Sequence, residues 1–126
     1  MARKGASAED LRKAITDRFG YDLSMTVDEI RPRYSWAGLD GIVSGATCQG
    51  SVPQAIICAL EATDYEDAVR NAVSIGGDSD TIACITGSIA EAMFGVSDEI
   101  RKIAMEYIPD DFVKVVTTFK SRYGKK

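Results

Sequence analysis

The sequence predicts an all-α protein, a bundle of five or six helices in one domain spanning residues 1–126. Three observations carry that reading. Apolar residues recur three and four positions apart in segment after segment, Ser or Asp stands where most segments begin and Gly or Pro where they end, and no stretch sustains the alternation of a half-buried strand.

The first helix spaces Leu11, Ala14, Ile15 and Phe19 along one face, with Ser7 as N-cap and Gly20 as its stop. A short turn, Thr26 to Ile30, precedes Pro32. Between Pro32 and Gly50 four glycines interrupt any period, so residues 32–50 read as a long loop. The second helix opens at Ser51 with Pro53 in its first turn, where the missing N–H is harmless. Its face of Val52, Ala55, Ile56, Ala59 and Leu60 is widened by Ile57 and Cys58, which makes it mostly buried. Asp64 caps the third, Asp67 completes a capping box, and Tyr65, Ala68, Val69, Ala72 and Val73 share the inner face up to Gly76-Gly77. The fourth, about Thr81 to Phe94, is apolar or small nearly all round, with Ile82, Ile85, Ile89 and Met93 on one side and Ala83, Cys84, Gly87, Ser88 and Ala90 on the others. That pattern places it at the centre of the bundle. Ser97 starts the fifth, which turns Ile100, Ile103, Ala104 and Tyr107 inward until Pro109. The last sets Phe112, Val115, Val116 and Phe119 on one stripe and gathers Lys120, Arg122, Lys125 and Lys126 at its carboxyl end.

With 45% hydrophobic and 27% charged residues, the chain has the composition of a globular domain that buries a modest core. A net charge of −4, with scattered basic residues, excludes a nucleic-acid or anionic-membrane binder driven by charge. The absence of histidine removes His-assisted nucleophiles and imidazole-bound zinc, which leaves carboxylates, hydroxyls or a hard metal. Cys48, Cys58 and Cys84 form no C-x-x-C pair and lie among small apolar residues, which reads as buried, reduced thiols. No apolar run approaches a membrane span or a signal peptide, so the expected location is the cytoplasm.

The densest acidity, from Glu61 to Asp80, is mostly a solvated helix face or N-caps. Gly76-Gly77-Asp78-Ser79-Asp80-Thr81 differs. Two glycines free the backbone, so Asp78 and Asp80 can converge while Thr81 adds a hydroxyl at the helix start. Three oxygen donors within four residues suit Mg²⁺ or Mn²⁺, although a helix N-terminus repels cations and both carboxylates must then be ionised. Local spacing leaves a simple cap and a metal site both open; a cap, however, needs one acceptor, and this turn offers three.

The stretch from Ser51 to Gly95 resembles the carboxyl-terminal region of the ADP-ribosylglycohydrolase family, whose Gly-Gly-Asp-x-Asp-Thr signature matches Gly76 to Thr81 at every position. The likeness extends from about Phe19 to the last helix and includes Tyr21-Asp22-Leu23-Ser24, Asp28-Glu29-Ile30-Arg31-Pro32 and Cys48-Gln49-Gly50-Ser51-Val52-Pro53. The resemblance implies an all-α fold around two Mg²⁺ or Mn²⁺ ions, with Asp78, Asp80 and Thr81 as ligands and Asp80 bridging. It implies hydrolysis of the bond between ADP-ribose C1 and an acceptor, in an ADP-ribosylated substrate or a small molecule. Family members are about twice this length, and their amino-terminal half brings a Thr-Asp-Asp-Thr motif that these residues lack. The general base and most adenosine contacts are then expected in that half, leaving catalytic residues unassigned here. Gly76, Gly77, Gln49 and Ser51 are candidates to line the substrate cleft, with loop packing as the alternative for the last two. The rival reading is a non-catalytic relative, a helical interaction module. The apolar fourth helix, which the absent half would cover, leads us to expect a homo-oligomer or a pairing with a complementary chain, and the absent ligands of that half lead us to expect weak Mg²⁺ binding and negligible turnover by this chain alone.

Overall fold

Capping chemistry fixes the helix starts in the computed structural model, which describes residues 2–124. After a 3-10 turn, Ala2–Lys4, the elements are α1 (Ala8–Phe19), α2 (Val27–Ile30), β1 (Tyr34–Ser35), β2 (Gly38–Leu39), α3 (Cys48–Leu60), α4 (Tyr65–Ser74), α5 (Ser79–Phe94), α6 (Asp98–Glu106) and α7 (Asp110–Tyr123). The all-α expectation holds. The seventh helix is the single turn α2, which Thr26 and Glu29 close as a capping box. Ser7 Oγ likewise accepts from Asp10 N at 3.1 Å while the Asp10 carboxylate returns to Ser7 N, and Gly20 ends α1 at φ 69°. The box expected on α4 closes differently. Asp64 accepts from Asp67 N at 2.8 Å, but the Asp67 carboxylate reaches one residue further back, to Thr63 N.

Residues 32–50 are not wholly irregular. Tyr34 pairs with Leu39 and Ser35 with Gly38 in a short antiparallel ladder, flanked by an Arg33–Asp40 ion pair. The following helix begins at Cys48, three residues before the expected Ser51, because Thr47 Oγ1 accepts from Gly50 N at 3.2 Å. Pro53 therefore lies inside α3, past the first turn where a proline is free of cost.

The chain forms two compact units, Met1–Gly95 and Val96–Lys126. In the first, α3 and not α5 is the axis. Ten of the thirteen α3 residues are buried, whereas α5 buries only the stripe Ile82, Thr86 and Ala90. Ile85, Ile89 and Met93 are half-buried against the core, and Cys84, Ser88 and Glu91 face solvent. The reason is placement and not composition: α5 has Ile82, Ile85 and Ile89 of its own, but α3 is surrounded, and its Ile56, Ile57 and Leu60 each gain about 1.5–3 kcal/mol by burial. α1, α2, α4 and α5 all pack against α3, and Thr86 Oγ1 donates to the Ala55 carbonyl at 2.9 Å, which fixes α5 to it. Phe19 and Val73, expected inside, are exposed at the ends of their stripes.

The second unit holds α6 and α7, and neither has a buried residue. Ile103, Ala104, Tyr107, Phe112, Val115 and Phe119 are exposed where inward positions were expected, and Ile100 and Val116 are half-buried. Two helices of nine and fourteen residues cannot by themselves enclose a core. Lys125 and Lys126 lie outside the described residues. All three cysteines are free, and only Cys58 is buried: Cys48 stands in the exposed first turn of α3 and Cys84 on the solvent side of α5. No described helix is long and apolar enough to cross a membrane.

Candidate functional site

The turn before α5 owes its shape to two left-handed glycines, Gly76 at φ +76° and Gly77 at φ +63°. They face different surroundings. A Cβ on Gly76 would meet nothing within 4 Å, whereas one on Gly77 would stand 2.5 Å from Tyr34 Cε1 and 3.0 Å from the Ser35 carbonyl carbon. The Tyr34 ring thus lies directly on the turn. Gly45 makes room for the other end of the same side chain, since its Cβ would fall 2.9 Å from the Tyr34 hydroxyl. That hydroxyl is buried and has no hydrogen-bond partner, and its pKa is raised, first by burial and then by the negative charge of Asp78.

Beyond the glycines the helix is rigid from its first turn, with Ile82 fully buried and Thr86 bonded to α3. Asp78 occupies the N-cap position but caps nothing: its backbone, at φ −80° and ψ 61°, is not the extended form of an N-cap and its side chain receives no cap hydrogen bond. The Asp80 carboxylate accepts from Thr81 N at 3.0 Å. Its pKa is held below the ordinary carboxyl range, chiefly by hydrogen bonding with the Asp78 carboxyl and secondarily by the Thr81 N–H. Asp78, Asp80 and Thr81 thus stand together at the start of α5, at a helix N-terminus whose dipole favours negative charge. Among the described residues no group of three or more Asp, Glu, Cys or His gathers as a cation cage, so this chain offers two carboxylates and a hydroxyl.

The other sequence candidates lie elsewhere. Ser51 is buried and donates its hydroxyl to the Thr47 carbonyl at 2.7 Å, a bond internal to the start of α3. Gln49 is exposed at the rim of an apolar cavity of about 440 Å³ shared with Tyr21, Ile30, Ile42 and Gln54, whose Oε1 is buried without a partner. None of the residues lining that cavity belongs to the Gly76–Thr81 turn. Tyr34 escaped the sequence reading; the only signal for it is a pair of distant glycines, Gly45 and Gly77, that leave room for a ring.

The Gly-Gly-Asp-Ser-Asp-Thr turn thus sits between α4 and α5 of the first helical unit. Residues 2–119 match the ADP-ribosylglycohydrolase family, and the chain belongs to it. It is similar to ADP-ribosylhydrolase ARH3 of Danio rerio, with 34% identity over 42% of this chain and 17% of that relative, so the matched stretch spans less than a fifth of the relative's length. No solved structure matches the chain.

Proposed function

We propose that this chain is an ADP-ribosyl hydrolase region contributing part of a divalent-cation site, for two Mg²⁺ or Mn²⁺ ions, with Asp78, Asp80 and Thr81 as oxygen ligands and Asp80 between the ions. The observation that carries the reading is the Asp78 carboxylate, which stands where a cap should be and makes no cap hydrogen bond. Hard oxygen donors match the preferences of these ions, and the depressed pKa of Asp80 keeps its charge available. When bound, such ions supply Lewis-acid stabilisation of charge on substrate oxygens and on an attacking water. The chain's own residues position that chemistry. Asp78 and Asp80 hold the charge, Thr81 adds a neutral donor, the Tyr34 ring closes the side of the turn that Gly77 exposes, and the open space beside Gly76 leaves the substrate a close approach to the backbone. The bond to be cleaved joins ADP-ribose C1 to an acceptor, and the general base and most adenosine contacts come from outside these residues. The protein acts in the cytoplasm.

The test is a Mn²⁺ titration of Asp78→Asn and Asp80→Asn, followed by electron paramagnetic resonance, with Mg²⁺-dependent release of ADP-ribose measured once a segment bearing Thr-Asp-Asp-Thr is supplied. Each substitution removes a charge from the ion site and abolishes both readouts, while helix stability changes by only about 0–1 kcal/mol, because Asp78 makes no cap hydrogen bond to lose and an amide oxygen at position 80 still accepts from Thr81 N. Unaltered Mn²⁺ binding in both variants returns the turn to a structural role. The second reading, a non-catalytic interaction module, is favoured by the uncovered apolar face of α7 and requires wild-type chain to bind no Mn²⁺ at all.

A further inference from the structure

We propose that α7 is a self-complementary docking helix through which two copies of this chain pair antiparallel. Phe112, Val115, Phe119 and Tyr123 are each more than half exposed. At 3.6 residues per turn they fall within an arc of about 80° and form one continuous seam. The Phe119 and Tyr123 rings already pack on each other, tilted by 45° with centroids 5.0 Å apart, and with Val115 and Arg122 they line an apolar groove.

The charges say what fits that seam. Asp111 and Arg122 lie on the same flank of it, separated by eleven positions or about 16 Å of helix. A second α7 laid antiparallel, crossing between Val116 and Thr117, sets Asp111 of each copy beside Arg122 of the other. In the same register Phe119 of the second copy drops between Phe112 and Val115 of the first, the knob-into-hole packing such seams use. The opposed helix dipoles also attract in this arrangement and repel in the parallel one. One register thus satisfies the apolar seam, both ion pairs and the dipoles, which is the condition for a two-fold interface made of a single patch. A helix-on-helix contact is smaller than a standard interface, so the dimer forms in the high micromolar range and not at nanomolar concentration.

Sedimentation equilibrium of the full chain tests this. Wild type shows a monomer–dimer equilibrium, and Phe119→Glu is a monomer throughout. Asp111→Arg and Arg122→Asp each raise the dissociation constant about tenfold or more, since like charges then face each other at both ends. The double variant Asp111→Arg/Arg122→Asp restores opposite charges and returns to within about threefold of wild type, an outcome the antiparallel register requires. All these side chains are exposed, and an unchanged far-ultraviolet spectrum verifies that each variant folds. A wild type that stays monomeric to submillimolar concentration, or a double variant as weak as either single one, overturns the proposal. So does a monomer that instead pairs with a different chain through α7.

Discussion

Two adjacent glycines in the turn before α5 make a controlled experiment, because both sit at positive φ and only one is crowded. Gly76→Ala puts a Cβ into open space, so its cost is the strain of a left-handed alanine, roughly 1–2 kcal/mol. Gly77→Ala carries the same strain and adds a Cβ 2.5 Å from Tyr34 Cε1, a separation real side chains do not tolerate. Tyr34 is only 7% exposed and cannot swing clear into solvent, so the substitution behaves as overpacking, which costs about 1–3 kcal/mol more. For a chain of this length 1 kcal/mol corresponds to roughly 3–5 °C in Tm, and the two alanines should therefore differ by about 3–15 °C. Thermal and urea unfolding followed by circular dichroism measure both. In a Tyr34→Ala background most of the difference should vanish; what remains reflects the Ser35 backbone, 3.0 Å from the same Cβ. Equal costs for Gly76→Ala and Gly77→Ala, or a difference unaltered by Tyr34→Ala, would refute the account of Tyr34 as the side chain that sets the turn.

Two further outcomes follow from the described groups. Burial pushes the Cys58 thiol up to about 12, so iodoacetamide at mildly alkaline pH should modify the exposed Cys48 and Cys84 in the folded chain and reach Cys58 only after denaturation; mass spectrometry of the labelled peptides reads this directly. The Glu29 carboxyl is held below its ordinary value, chiefly by the Thr26 N–H in the α2 capping box, so its folded-state pKa lies under its unfolded one. Its contribution is then present above the unfolded value near 4.5 and is lost as pH falls through the folded value, so the loss of urea stability between about pH 6 and pH 3.5 should be smaller in Glu29→Gln than in wild type, and a larger loss would contradict the box.

What the sequence made readable was local. Ser7, Thr26, Asp64 and Ser97 announce helix starts because a cap needs only the three residues that follow it. The same locality misled at α3, where Pro53 suggested a first turn at Ser51, yet Thr47 accepts from the Gly50 N–H and the helix starts three residues earlier, at Cys48, at the expense of an interior proline. Periodicity counted apolar positions on α5 but says nothing of which helix the others surround, so α5 read as central when α3, against which α1, α2, α4 and α5 all pack, is the axis. On α7 the stripe was legible as a stripe, and Phe112, Val115 and Phe119 on it are exposed. Nothing in a 3.6-residue period says whether the cover belongs to the same chain. The acids of the Gly76–Thr81 turn were readable for being contiguous, and Tyr34 was not, because it enters from 43 residues away through a space that two glycines leave empty.

That placement also sets how strongly the turn can act on a cation. The N-terminus of α5 carries the equivalent of about half a positive charge, and Asp78 and Asp80, when ionised, carry two negative ones at comparable distance. The dipole therefore offsets roughly a quarter of their attraction for a dication, while it stabilises both carboxylates in the ion's absence. The balance still favours binding. With two charges and one hydroxyl, however, the turn furnishes about half of the six oxygens that Mg²⁺ demands, and water must fill the rest. What the fold adds is a fixed backbone: Ile82 buried one turn along, Thr86 bonded to the Ala55 carbonyl, and the Tyr34 ring against Gly77 hold the turn that carries the two acids. On the function proposed above, an incomplete pair of charges on a fixed backbone binds a cation weakly by itself and tightly only when other oxygens are presented at the right distance.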